Sequence, residues 1–338
     1  MKSFPPLPKL FNEGSLTLVD VGARGGLSWQ WEPFKHLITA VLVEPDPAEA
    51  ASLVEKLQRE GLRAVKVIPK GLGARNGMAE LNLLQSPECS SIFEPNLRWL
   101  ARFPDAERFT TSKHLPIELS TLDSELAALG VTQCDFLKLD VQGYELEVLA
   151  GATRTITQCL AVEAETSFNE IYQGQPLFGQ IDSSLRTHGL ALIDLERVWW
   201  RRAGVPRPIS TRGQIIWANA LYLQDPWSSG DFSREKLVKT AIILCGYRLF
   251  DIVHELLTLG VQKGSIQQDE LAEATRWMAA MSFARSPFWR WIANLPKFPF
   301  KGRLTQFCGM LARCLHAGAY GEGVGNDSLS WERKWEWL

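Results

Sequence analysis

Short apolar runs rich in Val, Ile and Leu alternate with amphipathic segments over residues 16–224. The early runs are almost continuously apolar, which is typical of parallel strands that helices cover on both faces. We predict strands at residues 16–21, 40–44, 64–68, 135–140, 159–163, 190–195 and 214–223. Strands that alternate with helices in this way predict a doubly wound α/β sheet.

Helical patterns fill the intervals between these strands. Residues 47–60 are polar on one side, and residues 121–129 begin with Thr121 as a cap and stop before Gly130. Only the turn-rich residues 201–213 separate the last two strands. A connection without a helix favours an antiparallel pair at the sheet edge, so we expect a mostly parallel, mixed sheet.

The pattern changes at Asp225, beyond which strand signals vanish and helical signals dominate. The predicted helices cover residues 234–245, 249–259 and 268–283. Residues 226–338 carry 14 Lys+Arg and 11 Asp+Glu and seven of the 13 Trp, whereas residues 1–225 are net acidic. We therefore predict a domain at 1–225 and a helical, basic and Trp-rich extension at 226–338.

Composition excludes several classes of protein. The chain has 338 residues with 36 Lys+Arg and 38 Asp+Glu, so it lacks the basic excess of a nucleic-acid binder. No apolar run reaches the about 18 residues that a membrane-spanning helix needs, and prolines interrupt the first residues, so we expect neither a span nor a secretory signal. Six cysteines without a C-x-x-C pair favour free thiols in a reducing cytoplasm.

A glycine-rich turn follows the first predicted strand, where residues 20–26 read DVGARGG. Glycine lets the chain turn sharply and brings backbone N–H groups close to a ligand. The spacing of Asp20, Gly22 and Gly26 differs from the G-x-G-x-x-G of dinucleotide-binding folds. Asp20 repels a pyrophosphate but accepts from an ammonium group, which S-adenosylmethionine carries without any phosphate. An ordinary strand-to-helix turn is the alternative interpretation of these glycines.

Acidic residues end two further strands. Glu44-Pro45-Asp46 comes about 20 residues after the glycines, where a carboxylate can accept both hydroxyls of a ribose. Asp140 ends the apolar strand at 135–140 and so lies at the carboxyl edge of the sheet, where open α/β folds bind ligands. Glu145 opens the next helix, a position at which it can also simply stabilise the helix N-terminus.

These motifs together resemble the FkbM-type S-adenosylmethionine-dependent methyltransferases. The resemblance rests on residues 20–26, 44–46, 89–95, 136–151 and 168–178, and it extends over about residues 16–224. It implies a Rossmann-like class I methyltransferase fold and methylation of a hydroxyl on a sugar, glycan or natural product. The implied cofactor contacts are Asp20, Gly22, Arg24, Gly26, Glu44, Asp46 and Ser91. This sequence departs from the family at two positions. Arg24 stands where the family usually has Asn, and Ala74 stands where the family commonly has an acidic residue.

Methyl transfer to an alcohol requires alignment of the acceptor oxygen and a base, or a metal that acidifies the hydroxyl. The candidates for this role are Asp140, Glu163 and Glu145. Glu163 and Glu165 share a face if their strand continues, because side chains alternate, although a charged strand edge explains both as well. A divalent cation is a further expectation, with Asp140 and Glu163 among its oxygen ligands.

Residues 274–321 contain no acidic residue but seven basic ones, with aromatic residues interleaved. This pattern suits a peripheral membrane contact or a lipid-linked substrate, because indole rings and Lys or Arg bind the headgroup region. Two alternatives remain: a polyanion such as nucleic acid, which we disfavour, and a small helical core with basic groups that extend into water.

The sequence thus favours an S-adenosylmethionine-dependent O-methyltransferase that takes a small-molecule or glycan acceptor. A degenerate methyltransferase fold that binds a ligand or serves as a scaffold is the second hypothesis, and the departures at Arg24 and Ala74 support it. A nicotinamide oxidoreductase ranks third, because the dinucleotide fingerprint is missing.

Overall fold

The computed structural model describes most of the chain up to Phe283. The described residues are 4–59, 62–206, 209, 211–225, 227, 230 and 233–283. Of the basic and aromatic segment at 274–321, residues 284–321 lie outside this range, as do Cys308 and Cys314. The four cysteines within it are buried and free, as expected.

The order of elements alternates strands and helices over the first two thirds of the chain. The strands are β1 (Leu16–Val21), β2 (Ile38–Val43), β3 (Ala64–Ile68), β4 (Gly71–Leu72), β5 (Gly77–Leu84), β6 (Thr111–Ser120), β7 (Phe136–Leu139), β8 (Ala161–Ser167), β9 (Leu190–Trp200) and β10 (Gln214–Gln224). The α-helices are α1 (Lys9–Asn12), α2 (Pro47–Gln58), α3 (Leu97–Leu100), α4 (Leu122–Ala128), α5 (Glu145–Ala150), α6 (Thr153–Gln158), α7 (Phe178–Thr187), α8 (Arg234–Gly246), α9 (Phe250–Gln262) and α10 (Gln268–Phe283). Short 3-10 helices form at Trp29–Leu37, Pro87–Cys89 and Ala106–Phe109.

The main sheet has seven strands in the order β3-β2-β1-β7-β8-β10-β9. All neighbours pair in parallel except β10, which inserts antiparallel between β8 and β9. The mixed, mostly parallel sheet predicted from the sequence is therefore confirmed. The predicted antiparallel pair at the sheet edge is formed by β9 and β10. The chain passes from β8 through α7 to the edge strand β9, and β10 then pairs between β8 and β9.

Every strand predicted from the apolar runs is present, with shifted ends. β8 continues to Ser167 and β9 to Trp200, since each pairs along its length with β10. The sequence did not predict a second sheet in the order β4-β6-β5. Its strands β5 and β6 expose much of one face, so their polar residues interrupt the apolar pattern.

Two hydrophobic clusters cover the two faces of the main sheet. One face packs against α4 to α7, which confirms the doubly wound arrangement. The other packs against α1, the 3-10 helix Trp29–Leu37 and the C-terminal helices α8 to α10. Phe11 and Trp277 meet there with ring centroids 5.6 Å apart, and Lys239 of α8 forms a buried ion pair of 3.1 Å with Asp135. The described C-terminal helices therefore share a core with the sheet.

None of the helices in the described part of the chain is long and apolar enough to cross a membrane. The boundary between residues 225 and 226 stays a prediction from the sequence.

Candidate functional site

The strand order reverses direction between β1 and β7. In open α/β sheets, ligands bind at such a switch point, outside the carboxyl ends of the strands. The loops that follow β1, β2 and β7 meet there: Asp140 N donates to the Val21 carbonyl oxygen at 2.9 Å, and Gly22 N to the Val43 carbonyl oxygen at 3.0 Å. Two cavities open around these loops.

The first cavity is open to solvent and contains about 800 Å³ of empty space when its mouth is included. Among the predicted site residues, it is lined by Gly22, Arg24, Glu44 and Asp140. Gly71 and Leu72 of β4 and Ser90 close its other side. We refer to it as the nucleoside cavity, because it contains the carboxylate that the sequence assigns to a ribose.

Gly22 is the glycine of the turn that the structure requires most strictly. Its φ is +88°, and a Cβ atom there would overlap the carbonyl oxygen of Asp140. Gly22 thus lets the β1 and β7 loops touch, which keeps their backbone at the cavity wall. Gly26 also has a positive φ, of +92°, but it faces Leu57 of α2 and does not line the cavity.

Glu44, Asp46 and Arg24 form one charged group at the end of β2. Glu44 is buried and accepts from Asp46 N at 2.9 Å, while Asp46 caps α2 by accepting from Ala48 N at 3.0 Å. Arg24 lies 3.1 Å from Asp46 and 3.9 Å from Glu44. Burial raises the pKa of Glu44, and the Asp46 N–H and the Arg24 guanidinium oppose that rise. Its carboxylate is therefore oriented by protein groups on one side and faces the cavity on the other.

A row of charges crosses the sheet beneath the loops. The strand register places Asp20 of β1, Lys138 of β7 and Glu163 of β8 side by side. The Lys138 ammonium lies 3.5 Å from Asp20 and 3.2 Å from Asp140. Burial raises the pKa of Asp20, and Lys138 opposes this. Asp20 is 1% exposed and lines neither cavity, so it acts on the site through Lys138.

Glu145 and Ser91 hold the loop after Asp140 in shape. The carboxylate of Glu145 accepts from Val141 N at 3.0 Å and from Gly143 N at 3.2 Å, and burial raises its pKa to about 7. The Ser91 hydroxyl donates to the Gln142 carbonyl oxygen at 2.7 Å. Neither residue lines a cavity. Both predicted site residues thus fix a loop in which Gln142 has a φ of +55°.

The second cavity encloses about 980 Å³ up to its mouth and lies over the next strands of the sheet. Its carboxylates are Asp140, Glu163, Glu165 and Glu196, and we call it the acidic cavity. Lys138, Trp29, Trp217, Asn219, Tyr247 and Arg248 also line it. Among the described residues, Asp140 is the one that lines both cavities.

Burial shapes the titration of the carboxyl groups in this cavity. It raises the pKa of Glu163 to about 7, and Lys138 and the Tyr247 hydroxyl oppose the rise. It raises the pKa of Glu165 well above the usual range, with Asp140 and Glu145 adding to the effect. The side-chain amide of Gln142 donates to Glu165 at 3.0 Å and to Asp140 at 2.9 Å. Gln142 lines the nucleoside cavity and Glu165 the acidic cavity, so these hydrogen bonds connect the two cavities.

The tryptophans that follow the glycine turn have different environments. Trp31 is buried, with its ring centroid 5.0 Å from that of Phe136 and 6.2 Å from that of Tyr247. Trp29 is 56% exposed and lines the acidic cavity. Trp31 therefore belongs to the core, whereas Trp29 forms part of the cavity wall.

In the described part of the chain, no three His, Cys, Asp or Glu side chains converge as a set that could hold a metal ion. The expected divalent cation remains a prediction.

The comparison with known proteins decides the family. A model of the methyltransferase FkbM domain matches residues 20–190, which include both glycine and acidic motifs and all of β7 and β8. The chain belongs to the FkbM methyltransferase family. The 2-O-methyltransferase NoeI of Sinorhizobium fredii (strain NBRC 101917 / NGR234) is 35% identical over 192 residues, which cover 54% of this chain and 76% of NoeI.

Solved structures of other methyltransferases are more distant. The magnesium protoporphyrin IX methyltransferase ChlM of Synechocystis PCC 6803, with bound SAM, is 12% identical at a TM-score of 0.34, covering 63% of this chain and 72% of ChlM. The N-methyltransferase NodS of Bradyrhizobium japonicum WM9 is 6% identical at a TM-score of 0.31, covering 64% and 90%.

Several residues of this site were missed from the sequence, among them Lys138 and Tyr247. Lys138 stands two residues before Asp140 in a strand, and the alternation of side chains was a signal that both point to one face. Tyr247 follows α8, outside the residues that match the family, and reaches the acidic cavity only because α8 packs on the sheet. No sequence pattern indicated that contact.

Proposed function

We propose that this chain is an S-adenosylmethionine-dependent O-methyltransferase that acts on a hydroxyl of a saccharide, glycan or secondary metabolite. The observation that carries the proposal is that the nucleoside cavity and the acidic cavity meet at Asp140. One cavity can then hold a methyl donor and the other an acceptor, with a carboxylate between them. The name of the relative NoeI, a 2-O-methyltransferase, supports transfer to oxygen.

The residues of the nucleoside cavity fit a donor that contains a ribose and no phosphate. Glu44 faces the cavity as an acceptor for ribose hydroxyls, and Gly22 keeps the backbone of two loops at the wall. Arg24 and Asp46 orient Glu44, while Asp20, Gly26 and Ser91 support the surrounding loops. When bound, S-adenosylmethionine would supply an electrophilic methyl group.

The protein's own groups then have to orient the acceptor and take up its proton. Asp140 lies at the junction and accepts a hydrogen bond from the acceptor hydroxyl, while Lys138 at 3.2 Å holds it in place. The carboxylate of Glu163, whose pKa burial raises to about 7, is matched to proton uptake near neutral pH.

Calorimetric titration with S-adenosylmethionine and S-adenosylhomocysteine tests the donor side. We expect binding in the micromolar range, weakened at least about tenfold in Glu44→Ala and unchanged in the control Glu55→Ala, which removes an exposed carboxylate from α2. Absence of binding by the natural chain would instead favour the ligand-binding or scaffold module.

A further inference from the structure

The acidic cavity has a floor of two polar rows that belong to one face of the sheet. The first row is Asp20, Lys138 and Glu163, of which the last two line the cavity. The second row is Glu165, Asn219 and Glu196, which the register places side by side across β8, β10 and β9. Such a floor offers carboxylate and amide oxygens at the spacing of neighbouring strands, about 4.8 Å. Oxygen acceptors in this pattern suit a ligand that carries several hydroxyl groups.

Indole rings stand at the walls above this floor. Trp217 of β10 lines the cavity and is partly buried, whereas Trp29 exposes 56% of its surface. The backbone at Trp29 is held in place because Trp31, two residues later, is packed in the core. An exposed aromatic face beside hydrogen-bonding groups provides an apolar surface for the C–H face of a ring and polar partners for its edge.

Carboxyl groups outnumber cationic groups in the cavity. Four carboxyl groups line it against two cationic groups, Lys138 and Arg248, and Lys138 also faces Asp20 outside the cavity. Burial and the neighbouring carboxylates Asp140 and Glu145 already raise the pKa of Glu165 well above its usual range, and burial raises that of Glu196. A ligand anion placed among these groups would be repelled and would lose its hydration.

We propose that the acidic cavity is the acceptor subsite, that it takes a sugar ring without negative charge, stacked on Trp29, and that its carboxylate wall rejects anionic sugars. This inference rests on the proposed function in one respect, namely that the methyl group passes from a donor in the nucleoside cavity to a ligand in the acidic cavity. The specificity itself is a property of binding and can be measured without turnover. Trp29 and Glu196 are its specificity-determining residues: the first provides the ring surface, and the second extends the negative wall away from Asp140.

The test is a glycan array with neutral, amino and uronic-acid glycans, probed with the full chain saturated with S-adenosylhomocysteine. We expect retention on glycans without negative charge, and binding about tenfold or more weaker to their uronic-acid counterparts. Trp29→Ala should weaken retention about tenfold, whereas Trp227→Ala, which removes an exposed tryptophan that lines neither cavity, should not.

A charge variant tests the wall directly. Glu196→Gln should reduce the difference in binding between neutral and acidic glycans. The control Glu255→Gln, on the exposed face of α9, should leave that difference unchanged. Preferential retention on acidic glycans, or equal effects of Trp29→Ala and Trp227→Ala, would overturn the inference. So would the absence of any retained glycan in a chain that still binds S-adenosylhomocysteine by calorimetry. In that case the binding of the donor would still be supported. Loss of both glycan retention and S-adenosylhomocysteine binding would also contradict the proposed function.

Discussion

Replacement of Lys138 by methionine tests whether one ammonium group holds the charge row of the site together. Met has a similar length and no charge, so the variant retains the packing of β7 and removes the counter-charge of two carboxylates. The Lys138 ammonium lies 3.5 Å from Asp20 and 3.2 Å from Asp140. The side chain of Asp20 is only 2% exposed, so water cannot replace the lost partner.

The size of the effect follows from this burial. Removing one partner of a buried ion pair typically costs about 3–5 kcal/mol, because the other charge is left without compensation. The Lys138 side chain is 15% exposed, so we take the lower end, about 3 kcal/mol. Since Asp20 and Asp140 share one ammonium group, this cost is counted once. With a denaturant slope of about 3 kcal/mol per molar, the urea midpoint should fall by about 1 M.

The loss should also depend on pH. Burial already raises the pKa of Asp20, and removal of Lys138 raises it further. A carboxyl group whose folded pKa exceeds its unfolded pKa takes up a proton on folding, so it destabilises the fold increasingly as the pH rises through that interval. The difference between Lys138→Met and the natural chain should therefore be smaller at about pH 5 than at about pH 8.

Urea unfolding followed by circular dichroism at several pH values measures both effects. The matched control is Lys70→Met, which also removes an ammonium between two carboxylates, Glu118 at 2.9 Å and Glu125 at 3.1 Å. The Lys70 side chain is 31% exposed, about twice the 15% of Lys138, and it lines the open nucleoside cavity, where water can replace the lost partner. The urea midpoint of Lys70→Met should therefore move less than that of Lys138→Met. The reasoning is refuted if the two variants lose equal stability, or if the Lys138→Met loss grows as the pH falls.

Three further predictions concern the loops, the base and the C-terminal segment. Gly22→Ala should lower the thermal midpoint and the affinity for S-adenosylhomocysteine more than Gly25→Ala does. Both glycines have a positive φ, but only a Cβ atom at Gly22 would overlap backbone atoms. Equal losses in the two variants would contradict this reasoning. Methyl transfer to a retained glycan should rise as the pH passes about 7, with Glu163→Gln losing activity and that inflection, because the carboxylate is the active form. The full chain should sediment with anionic liposomes more than a chain ending at Phe283; equal sedimentation would reject the membrane hypothesis.

The main sheet could be predicted because its strands are buried on both faces. Continuous apolar runs such as those of β1, β2 and β7 leave little ambiguity, and the helices between them follow from the same logic. The second sheet could not be predicted, since β5 and β6 contain exposed residues in no regular pattern and their pairing depends on a connection of more than two dozen residues. Local pattern carries no information on such a long-range pairing.

The candidate site likewise contains residues that could be predicted from the sequence and residues whose roles could not. Gly22, Glu44 and Asp140 were predicted because each follows a strand directly, and the carboxyl ends of neighbouring parallel strands meet at one edge. The positions of Glu145 and Ser91 beneath a loop could not be read from residue type, because a carboxylate that binds a ligand and one that accepts backbone N–H groups have the same sequence signature. Tertiary contacts alone distinguish these roles.

The acceptor side of the site depends on parts of the chain beyond the family match, which ends at residue 190. Glu196, Trp217 and Asn219 come from the β9–β10 hairpin, and Tyr247 and Arg248 follow α8. The nucleoside cavity, in contrast, is lined entirely by residues within 20–190. A shared donor site and a separately built acceptor wall are what a family needs if its members transfer the same group to different molecules. We therefore infer that the hairpin and the residues after α8 supply the part of the specificity that Glu196 determines, whereas the ring surface of Trp29 belongs to the matched segment. Exchange of the matched segment alone should retain the discrimination by charge and change the contact with the sugar ring.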